Sequence, residues 1–126
     1  MCVKNIFFVF LSILLLNSCN YDNEESLYGI SDCDTNFVSF EMDIYPIISL
    51  HCATVTCHAG PSPSAGLALE TYEQIKSSAL NGSYSGMINR IEKPEGTPLG
   101  MPPNYRLELC QIQMIKAWVE QGALNN

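Results

Sequence analysis

Two thiols and an imidazole crowd one short segment of this chain, His51-Cys52-Ala53-Thr54-Val55-Thr56-Cys57-His58. No other feature restricts the possible folds as strongly. The rest of the polypeptide must present all three groups to one object from one side. The layout is that of covalent haem attachment: the thiols add across two vinyl groups, and the neighbouring imidazole reaches the iron of the same porphyrin. The usual spacing is C-x-x-C-H. Here four residues separate the cysteines, which makes a longer and rarer loop.

About forty residues further on stands Gly100-Met101-Pro102-Pro103, followed by an amphipathic segment ending Ala117-Trp118-Val119-Glu120-Gln121-Gly122-Ala123. With both in place the sequence resembles the single-haem, class I type cytochrome c domains. It looks most like the small bacterial lipoprotein cytochromes that use a lengthened C-x(4)-C-H loop, over roughly Phe37 to Ala123. The resemblance implies an all-α fold, a small cytochrome c-like helical domain wrapped around one haem, with long Gly/Pro-rich loops. It also implies that Cys52 and Cys57 hold a single covalent haem c, with His58 as proximal and Met101 as distal iron ligand. The sequence contains no internal repeat and no second attachment loop, so one haem per chain is expected.

The amino terminus reads as a leader. Met1 to Asn5 is short and positively charged, and Ile6 to Leu16 is almost wholly apolar but too short to span a bilayer. Leu16-Asn17-Ser18-Cys19 resembles a lipobox, which makes residues 1–18 a lipoprotein-type signal peptide and Cys19 the lipidated new terminus. An ordinary signal peptide with an incidental cysteine is the alternative. Several acyl chains on one residue suffice for stable anchoring. Residues 19–32, containing the polar, acidic Asn20 to Ser31, form a flexible tether, and 33–126 the domain.

Of six cysteines, Cys2 leaves with the leader and Cys19 takes lipid. If Cys52 and Cys57 carry haem as the resemblance implies, Cys33 and Cys110 remain, and an exported chain sits where disulfides persist. A Cys33–Cys110 bridge is then expected. Without haem the four could form two disulfides, in any of three connectivities. The net charge of −7 becomes −8 when Lys4 is removed, and no basic cluster is present. That argues against nucleic acid as a partner.

Along the domain, Asp43 is the expected N-cap of a first helix, with Ile44, Ile47 and Ile48 on one stripe and Pro46 at its third position, where a missing amide is tolerated. Ala59 to Gly66 is turn-rich. A carbonyl near Pro61 or Pro63 is expected to accept from the His58 ring nitrogen that does not face iron. Thr71 and Gln74 form a capping box that opens a helix to about Leu80, stopped by Asn81-Gly82. Ser83 to Ile91 suggests another short helix carrying Met87. Met87 is the competing sulfur ligand, but a Met on an amphipathic stripe more often fills a core. Glu92 to Tyr105 is a Pro- and Gly-rich loop around Met101. Leu107 to Gln121 is the longest helix, with Leu109, Ile112, Ile115, Trp118 and Val119 inward and Gly122 at its end. Glu108 is a poor cap, so its start is expected to fray.

A domain this small buries a low fraction of its surface. A haem would supply missing core, with Ile47, Ile88, Leu99, Ile112 and Trp118 as its lining, and the chain without it is expected to be largely unfolded. If His58 and Met101 both bind iron, no coordination position is left for a substrate. The expected function is therefore electron transfer with redox partner proteins, by a lipid-anchored protein of the cell envelope facing the periplasm or the cell surface. No small-molecule substrate and no catalytic residues are implied. Two alternatives differ in class. One is a haem peroxidase or gas sensor with a labile sixth ligand, for which Arg90 and Arg106 offer little. The other is a haem-free, disulfide-stapled surface lipoprotein, including a zinc version on Cys52, Cys57 and His58, which has one ligand too few for a closed site.

Overall fold

The helices form where apolar residues recur at helical spacing and where side chains satisfy the exposed amides of the first turn. The computed structural model describes residues 33–83 and 86–126, so the leader, Cys19 and the 19–32 tether lie outside it. Among the described residues there are helices and no strands, an all-α architecture. The α-helices are α1 (Tyr45–His51), α2 (Tyr72–Leu80), α3 (Met87–Ile91) and α4 (Leu109–Glu120). No helix among them is long and apolar enough to cross a membrane.

A π-helical turn, Phe40–Ile44, precedes α1. Its cap is Ser39 and not Asp43: Ser39 Oγ accepts from the Met42 amide at 3.3 Å, and Asp43 Oδ2 accepts from the Ser39 amide at 2.8 Å. Asp43 thus lies inside the helical run and reaches back to its start. Pro46 falls in the first turn of α1. In a normal α-turn its ring would press on the carbonyl four residues earlier, and the wider π-turn relieves that contact. Ile44, Ile47 and Ile48 are all buried, on one stripe as expected.

The Thr71–Gln74 capping box is present: Thr71 Oγ1 accepts from the Gln74 amide, and Gln74 Oε1 accepts from the Thr71 amide at 3.1 Å. Helix α3 is shorter than Ser83 to Ile91 suggests, beginning at Met87, which is buried in the core. Helix α4 starts at Leu109 because Glu108 is extended. Its start is secured by Gln111 Oε1, which accepts from the Glu108 amide at 3.1 Å. Cys110, in the first turn, is joined to Cys33 by a disulfide with 5.5 Å between Cα atoms. Gly122, at φ +100, ends α4 in a Schellman motif, with Gly122 N–H on Val119 O and Ala123 N–H on Trp118 O.

The carboxyl-terminal residues then wrap back over the start of the domain. Trp118 is fully buried, packs against Phe40 and Tyr72, and donates its indole N–H to Leu124 O. Tyr72 donates its hydroxyl to Ala123 O at 2.7 Å. Asn126 Oδ1 accepts from the Phe40 amide and Asn126 O from the Glu41 amide. The core therefore gathers around Trp118, Ile44, Ile48, Ile75 and Ile115.

Candidate functional site

The loop from Cys52 to His58 is folded by its own backbone. Helix α1 ends at His51, and the Cys57 and Ala59 amides both turn back onto Thr54 O, at 2.9 and 3.1 Å. The His58 amide donates to Cys52 O at 3.1 Å, which closes the lengthened loop. Cys52 is buried, while Cys57 is half-buried, and neither is in a disulfide. Burial, and secondarily Cys57, pushes the Cys52 thiol up to about 11. Hydrogen bonds from Thr54 and then Thr56 hold Cys57 below the ordinary thiol value.

The His58 ring is oriented by main chain. Its Nδ1 lies 2.9 Å from Leu67 O, and a carbonyl only accepts, so Nδ1 carries the proton. That leaves Nε2 with a free lone pair, the form that binds a metal. The acceptor is Leu67 and not a residue near Pro61 or Pro63. The 59–66 segment turns at Gly60, Ala65 and Gly66, all at positive φ, and the Leu69 amide donates to His58 O at 2.8 Å. The loop thus comes back against the imidazole only after the prolines.

Met101 arrives from the Pro- and Gly-rich loop. The Met101 amide donates to Arg90 O at 3.1 Å. Met101 and His58 line one cavity of about 820 Å³, together with Leu67, Ala68, Glu73, Ser78, Arg90 and Leu99. The same two side chains border a second pocket of about 230 Å³, whose walls include Cys52, Cys57, Pro102 and Tyr105. The four residues singled out from the sequence therefore surround two cavities that share His58 and Met101. Met87 lines neither cavity and belongs to the core.

The expected lining is mostly elsewhere. Of Ile47, Ile88, Leu99, Ile112 and Trp118, only Leu99 lines the large cavity. Ile47, Ile112 and Trp118 are core residues, and Ile88 packs against that core. Their stripes face the core, which a periodicity argument cannot distinguish from a cofactor.

A polar chain that sequence reasoning missed closes the smaller pocket. Since Gln111 Oε1 takes the Glu108 amide, Gln111 Nε2 faces His51 Nε2 at 3.3 Å and donates to it. A neutral His51 then carries its proton on Nδ1, which donates to Tyr105 Oη at 3.0 Å. The end of α1, the Met101 loop and the start of α4 are tied together through this imidazole. Burial, and then the sulfurs of Cys52 and Cys57, raise Tyr105 above the ordinary phenol value. Arg90 was also undervalued from sequence. The only signal for either was position: His51 adjoins Cys52, and Arg90 lies at the foot of the Met101 loop.

The donor set suits a covalently attached haem. It comprises an imidazole with a free Nε2, a thioether on the same cavity, and two thiols beside it. The larger cavity falls in the roughly 300–1,000 Å³ range of ligand and cofactor sites. Among the described residues no group of three or more His, Cys, Asp or Glu side chains is placed to hold a metal ion. No family model matches the chain, and neither does any curated protein or solved structure.

Proposed function

We propose that this chain is a monohaem c-type electron carrier, held at the cell envelope through a lipidated Cys19. One observation carries the reading: His58 and Met101, from loops remote in sequence, line a single cavity and together border the pocket that holds Cys52 and Cys57. In this reading the two cysteines hold the porphyrin by thioether bonds and the helices wrap it in the cytochrome c-like manner. His58 Nε2 and the Met101 sulfur would be the protein ligands to its iron. The bound group would supply one-electron chemistry, at a potential raised by Met/His ligation.

The work of the polypeptide is positioning. Leu67 O fixes the imidazole proton on Nδ1 and leaves Nε2 as the ring's free lone-pair donor. Arg90 O holds the backbone of Met101. With both residues on the iron, no coordination site would be left for a substrate. Electron exchange with redox partner proteins then follows as the activity, and catalysis does not.

The full chain, exported in a host with haem c maturation, tests the reading by pyridine haemochrome and by mass spectrometry after denaturation. One haem retained per chain, lost in a Cys52→Ala, Cys57→Ala variant, is the expected result. A colourless product whose Cys52 and Cys57 are free to alkylate would overturn it.

A further inference from the structure

The geometry points to Arg90 as the positioning residue for the Met101 sulfur, acting through the loop and resting on the haem reading above. Arg90 grips this loop twice. Its carbonyl accepts from the Met101 amide at 3.1 Å, and its guanidinium Nη1 donates to Leu99 O at 3.0 Å. The two bonds straddle Gly100. The Gly100 amide in turn donates to Thr97 O at 3.1 Å, and an added Cβ there would stand 3.3 Å from Thr97 O and Oγ1.

The loop needs such a hold. Leu99 has φ +69, in the left-handed region that residues with a Cβ rarely adopt. A backbone of this kind persists only where its surroundings over-determine it. The guanidinium on the Leu99 carbonyl supplies that constraint, two residues before Met101. Arg90 itself stands on firm ground, because Met87 and Ile91 of α3 are buried in the core. Arg90, Leu99 and Met101 also line the same cavity as His58. Position is therefore transmitted from the core through α3 to Arg90, and from Arg90 to the sulfur.

The test uses the matured full chain carrying Arg90→Ala, read by imidazole titration of the ferric protein and by the sulfur-to-iron charge-transfer absorption. Imidazole competes with Met101 for iron, so its apparent affinity reports how firmly the loop keeps the sulfur in place. Loss of one charge-assisted hydrogen bond is expected to raise that affinity about tenfold and to weaken the absorption. Arg90→Leu, which keeps an apolar stem in the cavity wall, carries the same expectation should the alanine variant fail to accumulate. Lys116→Ala breaks the exposed Glu92–Lys116 pair at the same end of α3, two residues from Arg90; it serves as the control for a general loosening of that end, with affinity expected to stay at the wild-type value. An unchanged affinity and absorption in the Arg90 variants overturns the assignment, as does an equal shift in Lys116→Ala. A wild-type protein without covalent haem, or with haem but no such absorption, overturns the haem or ligand reading instead.

Discussion

Removing the Cys33–Cys110 bridge is the perturbation whose size the structure fixes best. The bridge spans 77 residues, from the first described residue to the opening turn of α4. In the chain-entropy account, a closed loop of that length restricts the unfolded state by about 4.5 kcal/mol. Measured bridges more often deliver about 2–4 kcal/mol. Thioether bonds at Cys52 and Cys57 would close only the short loop between them, so haem attachment would leave this figure nearly unchanged. A Cys33→Ser, Cys110→Ser variant is therefore expected to lose about 3 kcal/mol, or roughly 15 °C in melting temperature for a domain of this size. The fold itself should survive, because the segment after Cys33 keeps other ties. Gln121 Oε1 accepts from the Val38 amide at 3.0 Å, and Gln121 Nε2 donates to Thr35 O at 2.8 Å. Urea unfolding followed by far-UV circular dichroism, on wild type and variant at one pH, measures the difference. A loss below about 1 kcal/mol would refute the reasoning, since it would mean the bridge lies outside the cooperative unit.

Two further predictions concern the free thiols of Cys52 and Cys57. The Cys52→Ala, Cys57→Ala variant is expected to keep most of its helical circular dichroism and to melt cooperatively, because Trp118, Ile44, Ile48, Ile75 and Ile115 are buried away from both cavities; a coil spectrum would sink this and restore the expectation of an unfolded haem-free chain. In haem-free wild type, burial raises Cys52 from 9.0 to about 11, so folding favours its protonated thiol; that stability is complete below about pH 9 and drains away as pH rises toward 11. The loss is at most about 3 kcal/mol, and Cys52→Ala should lack it; identical alkaline slopes for both proteins would refute the assignment.

Much of the fold was legible because it is specified by side chains at fixed offsets. Thr71 and Gln74 announce the start of α2, and Gly122 announces the end of α4, since each performs a local task that few residue types can perform. The buried stripe of Ile44, Ile47 and Ile48 was legible by the same logic of spacing. Asp43 misled because Ser39 and Asp43 share one cap across a widened turn, and the widening follows from Pro46 only once the steric conflict with Met42 is considered. Glu108 misled in the opposite sense. A poor cap was expected to fray, but Gln111 and the bridge through Cys110 hold that end.

The site was legible in its donors and illegible in what aims them, for a physical reason. Cys52, Cys57, His58 and Met101 are side-chain letters, so the pattern shows them directly. The groups that orient them are mostly main chain: Leu67 O on the imidazole, Cys52 O on the His58 amide, Arg90 O on the Met101 amide. Every residue but proline carries the same amide and carbonyl, so no letter marks the one that matters. Only the path of the loops brings a particular carbonyl to a particular atom. Arg90 is the exception, since its guanidinium acts through a side chain, yet its acceptor is again a carbonyl, that of Leu99. The same limit explains the misplaced lining. Ile47, Ile112 and Trp118 have the apolar stripe a cofactor wall would need. Trp118 is held in the core by a backbone acceptor, Leu124 O, on a terminal segment with no periodicity to reveal it.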